Sequence, residues 1–245
     1  MAAGSTAAMV VIGNEILSGK VRDSNSPFLA RELRTLGVQL QRITVIPDDV
    51  ETIATTVAEH AAVFDAVFTS GGVGPTHDDI TIEGIARAFG VEVVEHPDLR
   101  RLIESYAKGP PSPSFLKMAE VPQGATLDDV SGATFPVVVM RNVYILPGIP
   151  EIFEAKVASL RDRFRQAPFH LRQVLVSLPE TSLADYLNAT LEAFPDVLLG
   201  SYPKLKNPEY KVRVTLESKD EDYLERALAD LLARVPEDSV VKVDR

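Results

Sequence analysis

The stretch AVFTSGGVGPTHDDITIEGIARAFG, residues 66–90, decides how this chain is read. It opens as an apolar run from Ala66 to Ser70 and breaks at Gly71 and Gly72. It then turns through Gly74, passes the acidic pair Asp78–Asp79 and becomes helical up to Gly90. A short apolar run, glycines and then a periodic segment describe a buried strand passing into a helix. Adjacent glycines let a ligand approach the main chain, because no Cβ intervenes, and they free the backbone for positive φ. The N–H groups of a helix start carry partial positive charge that favours a phosphate. A plain strand-to-helix turn that needs glycine explains the same residues equally well. The glycines form neither a GxGxxG nor a Walker A loop, since no Lys-Ser/Thr follows them.

Outward from this stretch, strand and helix patterns alternate. A strand at Val10–Ile12 ends at Gly13, and DSNSPFLARELRTLG reads as a helix that Asp23, Ser24 or Asn25 can cap, with Pro27 in its first turn. VQLQRITVI is a strand, DVETIATTVAEHAAVF a helix and DLRRLIESYAKG another helix. The segment PPSPSFLKMAEVPQGATLDDVSGATF, rich in Pro, Gly and Ser, reads as a long loop. VVVM and VYILPG read as paired strands, followed by the helix PEIFEAKVASLRDRFRQ. This alternation predicts an α/β domain, a mostly parallel sheet covered on both faces. Near Ala167–Pro168 the pattern becomes strand, helix, strand, strand, helix, strand, the order of the ferredoxin-like α+β unit. The predicted division is 1–167 and 168–245. No internal repeat is visible.

Composition narrows the function classes. The 245 residues carry 35 acidic against 25 basic side chains, a net charge of −10, and 45% are hydrophobic. An acidic chain repels nucleic-acid backbones, so no nucleic-acid partner is expected. With no cysteine, disulfides, thiolate nucleophiles and cysteine zinc sites are excluded. No apolar run is long enough to span a membrane, and the start lacks a basic n-region, so a cytoplasmic protein is expected.

In a doubly wound sheet, ligands sit beyond the carboxyl ends of the strands. Three turns should gather there: GNEILSG with Glu15, SGGVGPTHDD, and LPGIPE with Gly148. Asp78 and Asp79 serve as first-turn caps, Thr76 and Asp79 having the capping-box spacing, or one of them holds Mg²⁺. Asp48 and Asp49 lie at a second strand-to-helix junction, from which they could meet Asp79 at one edge. His77 is a candidate ligand or proton carrier, while His60, His96 and His170 lack metal-ligand spacing. Lys108 and Lys117 in the Pro-rich segment, Arg141, and Lys204, Lys206 and Tyr202 in a later loop are solvated side chains or contacts to a ligand's phosphates.

Taken together, TSGGVGPTHDDIT, VIGNEILSGKVRDSN, IPDDVETI and LPGIPEIFE resemble the molybdopterin-binding, MoaB/MogA-like family, in its CinA branch. MRNVYILPGIPE and LGSYPKLKNPEYKVRVTLES further resemble the N-terminal domain of eukaryotic-type FAD synthases. The resemblance implies a three-layer α/β/α sandwich with a mostly parallel sheet, followed by the ferredoxin-like unit. It implies cleavage of the pyrophosphate of FAD or ADP-ribose with a divalent cation, Mg²⁺ or alternatively Mn²⁺ or Co²⁺, with K⁺ as a further candidate. Asp48 and Asp79 match the acids tied to metal and phosphate chemistry. Gly71, Gly72, Gly74, Gly148, Ser70 and Thr81 would contact the phosphates. Further candidates are Glu15, Asp78, His77, Lys117 and Lys204. Other members bind a pterin phosphate without turnover or transfer adenylate to molybdopterin, and both remain alternatives. Asn14 replaces the acid of the family's GDE loop. A stand-alone homo-oligomer, dimer or trimer, is expected, without the deamidase domain of CinA proteins or the synthase domain of FAD synthases. Asp79→Ala is expected to abolish activity at nearly unchanged stability.

Overall fold

A computed structural model describes residues 6–107, 109–128 and 135–244. Packing divides the chain into two units, the first ending at Gln166 and the second starting at Ala167. The first unit runs β1 (Thr6–Ile12), α1 (Asn14–Leu17), α2 (Asn25–Thr35), β2 (Gln39–Ile46), α3 (Val50–Val63), β3 (Ala66–Ser70) and α4 (Thr81–Phe89). It continues β4 (Val93–Glu95), α5 (Pro97–Tyr106), α6 (Pro113–Lys117), β5 (Glu120–Pro122), β6 (Thr126–Asp128), β7 (Val137–Met140), β8 (Val143–Ile145), α7 (Pro150–Ser159) and α8 (Arg161–Phe164).

The central sheet has the order β2-β1-β3-β8-β7-β6. β2, β1, β3 and β8 run parallel, while β7 pairs antiparallel with both β8 and β6. β1 is apolar at every buried position because both faces are covered. Ala7, Met9 and Val11 join the core built with Leu29, Leu33, Phe153 and Val157 of α2 and α7. Ala8, Val10 and Ile12 join the opposite core with Ile53 and Val57 of α3 and Ile85 of α4.

The segment expected to be a long loop holds α6, β5 and β6. Proline starts α6 rather than breaking it: Pro113 occupies the first turn, and Ser112 Oγ accepts the N–H of Phe115 at 3.2 Å. β5 pairs with β4 and buries Val121 against Leu99 and Ile103 of α5. A second difference lies upstream of α4, which begins at Thr81, so Asp78 and Asp79 precede the helix instead of forming its first turn.

The second unit runs β9 (His170–Val176), α9 (Glu180–Ala193), β10 (Leu198–Pro203), β11 (Val212–Ser218), α10 (Glu221–Arg234) and β12 (Val240–Asp244). Its sheet has the order β10-β11-β9-β12 with antiparallel neighbours throughout, the ferredoxin-like arrangement. Val174, Val176, Val212, Val214 and Leu216 pack on Leu183, Leu187, Leu224, Leu228 and Leu231 of its helices.

Candidate functional site

Because β1, β2, β3 and β8 are parallel, the turns that leave them emerge along one edge of the sheet. Hydrogen bonds stitch these turns together. The Gly13 N–H reaches Ile46 O at 3.1 Å, and the Gly71 N–H reaches Leu146 O at 3.2 Å. Glycine is required at position 71: φ is 109°, and a Cβ there would stand 2.2 Å from Ile12 O. At Gly148 a Cβ would stand 3.4 Å from the Cα of Gly71, so the two glycine turns touch through their backbones.

A cavity of about 100 Å³ opens where they touch. Glu15, Ser70, Gly71 and Gly148, all expected from the sequence, line it, together with Arg22, Asp23 and Asn25. Sequence reasoning missed Asn25 as a site residue. It is 5% exposed, and its Nδ2 donates to Ser70 Oγ and to Gly148 O, both at 2.9 Å. Ser24 stands at the N-cap of α2 without a side-chain cap bond, and Asp23 Oδ1 just before it accepts the Ser26 N–H at 3.0 Å. The signal was present in Asp23-Ser24-Asn25: three residues able to cap where one suffices. With both amide protons committed, Asn25 has only Oδ1 left to offer, and that oxygen is buried without a partner.

None of the acids Asp48, Asp49, Asp78 and Asp79 lines this cavity, and each has its own setting. Asp48 Oδ2 accepts the Asn14 N–H at 2.8 Å, tying the β2 exit to the β1 exit. Asp49 is the cap of α3, held below the usual carboxylate range by the Thr52 hydroxyl and N–H. Asp79 Oδ2 accepts the N–H of Thr76 at 2.8 Å and its hydroxyl at 2.6 Å, closing the turn 76–79. That bonding gives Asp79 a structural part beside its candidate ligand role, which argues for a stability cost on its removal. Asp78 also bonds the Thr76 hydroxyl, which lowers its pKa. Gly74 lies against the Asp79 carboxylate, and Gly72 against the Thr81 hydroxyl. Thr81 is fully buried and donates to Gly71 O at 2.9 Å, so its hydroxyl proton holds the turn. Among the described residues, no group of three or more His, Asp or Glu side chains is placed to hold a metal ion.

The candidate cations scatter. Lys117 Nζ donates to the backbone oxygens of Thr76 at 2.7 Å and Asp79 at 2.9 Å, clasping the acidic turn. Arg141 sits in the β7–β8 turn, at the amino end of β8 and therefore away from the glycine turns, stacked 4.5 Å over Phe89. His77 is almost fully exposed, its Nδ1 3.9 Å from Asp78. Lys204, Lys206 and Tyr202 belong to the β10–β11 region of the second unit. Lys108 lies outside the described residues.

Comparison with known proteins adds the family. Residues 8–163 match the family model described as "Probable molybdopterin binding domain". The chain belongs to that family. The second unit of this molybdopterin-binding family member, over residues 168–244, matches "FAD synthase, middle domain". A protein of Archaeoglobus fulgidus is 34% identical over 222 residues, covering 90% of this chain and 93% of the relative. A "Probable FAD synthase" of Caenorhabditis elegans is 35% identical over 256 residues, covering 92% of this chain but 49% of the relative. The chain therefore spans about half the length of that synthase. The solved structure of CinA from Thermoplasma acidophilum, a protein of unknown function, is 32% identical, with a TM-score of 0.60 over 66% of this chain and 98% of that one. Among the described residues, no helix is long and apolar enough to cross a membrane.

Proposed function

We propose that the chain is a divalent-cation-dependent pyrophosphatase that cleaves a dinucleotide such as FAD or ADP-ribose. The observation that carries this reading is the cavity between the Gly71 and Gly148 turns, walled by the bonded pair Ser70 and Asn25. The missing Cβ atoms of Gly71 and Gly148 let the two turns close on Ile12 and on each other, which shapes the cavity wall where an anhydride would lie. Glu15 and Asp23 also border the cavity, so a phosphate entering alone meets two carboxylates, against which Arg22 sets one positive charge. A hard cation offsets the rest.

We assign this cation to Asp48 and Asp79, acids at the ends of two neighbouring strand-to-helix connections. Asp48 and Asp79 each spend Oδ2 on the protein, and Oδ1 of each makes no hydrogen bond among the described residues. Mg²⁺ takes one or two carboxylates and completes its shell with water and phosphate, so Asp48 and Asp79 would hold it. The cation, Mg²⁺, Mn²⁺ or Co²⁺, with K⁺ as an accessory candidate, supplies polarisation of a phosphoryl oxygen and a more acidic water. One water adds to phosphorus, the bridging P–O bond breaks, and two phosphomonoesters leave, one of them AMP.

The test is release of AMP from FAD or ADP-ribose by the purified chain with each metal, read by chromatography beside a chelated control. Asp48→Asn and Asp79→Asn should each remove it. Asn14 supplies an amide where a third acid would strengthen a metal site, and this favours a second reading, a module that holds a pterin or nucleotide phosphate without turnover. Binding of such a phosphate with no AMP under any metal selects that module. Assembly into a dimer or trimer and a cytoplasmic location belong to the same proposal, and light scattering counts the copies.

A further inference from the structure

The sheet of the second unit packs its helices on one face. Val174, Val176, Val212, Val214 and Leu216 join the core with α9 and α10, so the residues alternating with them face the other way. Strand pairing sets these in rows across β10, β11 and β9. One row holds Leu198, Glu217 and Leu171. The next holds Gly200, Thr215 and Gln173, and the third holds Tyr202, Arg213 and Leu175. The solvated face of an antiparallel sheet is normally polar. Here Leu171 is 41% exposed, Leu198 39% and Tyr202 46%, three large apolar side chains on one face. Such a group marks an interaction surface, where a single one would need no explanation.

Arg213 says what the surface meets. Its guanidinium lies 5.0 Å from the centre of the Tyr202 ring, and its Nε is buried with no hydrogen-bond partner among the described residues. Part of the cost of taking this cation out of water is therefore already met within the unit, and a carboxylate brought to it gains accordingly. Glu217 of the same strand stands four residues away, roughly 13 Å at the rise of a strand. Lys242 and Asp244 on β12 pair with each other at 2.6 Å.

The rows complement themselves. Consider a two-fold axis between two stacked sheets, running across the strands at the row of Gly200 and Thr215. It lays the first row of each copy over the third row of the other. Arg213 then faces Glu217 of the second copy at two symmetric places, Tyr202 faces Leu198, and Leu175 faces Leu171. An axis running along β11 would instead lay Arg213 on Arg213. The middle row leaves room for the approach: Gly200 has no side chain, and a hollow of about 290 Å³ bordered by Leu198, Gly200, Tyr202 and Thr215 opens there. We propose that this face is the two-fold interface with a second copy of the chain, closed by reciprocal Arg213–Glu217 ion pairs. It rests on the assembly reading, from which it selects the dimer, and not on the phosphate chemistry of the first unit.

The experiment counts copies of the full chain by light scattering. The wild type should be a dimer. Arg213→Glu and Glu217→Arg each set like charges opposite one another at both places, and each should weaken the dimer at least about a hundredfold. Mixing the two variants in equal amounts should restore the dimer, because each then meets an opposite charge on the other. A contact made only within one copy is not restored by mixing. Leu171→Glu, at an exposed position that the fold tolerates, should also give monomers while the melting temperature of the monomeric unit holds. A wild-type monomer, an unchanged mass in all three variants, or no recovery on mixing of folded single variants overturns the proposal. A wild-type trimer overturns it too, while leaving the assembly reading standing. AMP release is read separately, so none of these outcomes is confused with failure of the pyrophosphatase reading.

Discussion

Replacing Asn25 by Asp is the sharpest check on how the glycine turns are held. In the native chain both amide protons of Asn25 are spent, on Ser70 Oγ and on Gly148 O. Aspartate is nearly the same shape but presents an oxygen to the Gly148 carbonyl, in a site 5% exposed. An ionised carboxylate there faces the Gly148 carbonyl in a cavity that already holds Glu15 and Asp23 against the single cation Arg22, so the folded chain protonates it instead. With a free Asp near about 3.9 and about 1.36 kcal/mol per pKa unit, holding it neutral at pH 7 costs about 4 kcal/mol, falling to about 1.5 kcal/mol at pH 5. The sign follows from the proton count: the folded state binds the extra proton, so stability falls as pH rises from about 4 toward the raised folded pKa. Asn25→Ala loses the same two bonds, about 1–3 kcal/mol gross, but also removes the unpartnered Oδ1 and introduces no charge. The expected order at pH 7 is wild type, then Ala, then Asp, with the gap between the two variants closing at pH 5. Denaturant unfolding of the three proteins at both pH values reads this directly. Equal stability of the Ala and Asp variants at pH 7, unchanged at pH 5, would refute the assignment of Nδ2 as the bridging atom.

Three further perturbations probe other parts of the first unit. Gly71→Ala should cost about 3 kcal/mol or more in denaturant unfolding, since φ of 109° and a Cβ 2.2 Å from Ile12 O leave it no room. Asp79→Ala should lower stability by about 1 kcal/mol through the lost Thr76 bonds in addition to its effect on AMP release, so a silent substitution in thermal melts contradicts the turn-closing role. Burial lowers the Lys156 pKa to about 8, while its Nζ bonds Phe135 O and Pro136 O. The unfolded chain therefore binds the extra proton between pH 8 and about 10.5, and stability should rise by up to about 3 kcal/mol across that window. The Lys156→Met variant should lack that rise when melting temperatures are compared from pH 7.5 to 10.

How much of this was legible in the sequence depended on whether each signal was local. The end of β1, Val10–Ile12, could be read because a strand covered on both faces must be apolar at consecutive positions, while its start at Thr6 was missed. The Gly71 turn could be read because only glycine tolerates that φ and that approach to Ile12. Pro113 misled because the same residue that breaks a helix interior starts a helix, and only its place after the cap Ser112 decides between them. Asn25 was hidden because a capping residue and a bridging residue share one chemistry. Arg141 was misplaced because its position along the chain, near Gly148, says nothing about which end of β8 it occupies. Lys117 lies 41 and 38 residues from its partners, a separation at which local patterns carry no information.

The Lys117 clasp has an asymmetric consequence. Its ammonium grips main-chain oxygens, which every amino acid possesses, so residues 76 and 79 can drift in identity without loosening that grip. The converse does not hold: trading this one lysine for a shorter or neutral residue unfastens both ends of the turn at once. The turn therefore depends on a remote third position as well as on the Thr76 and Asp79 side chains, and a scan of all substitutions would find one sensitive spot outside the loop whose shape it guards.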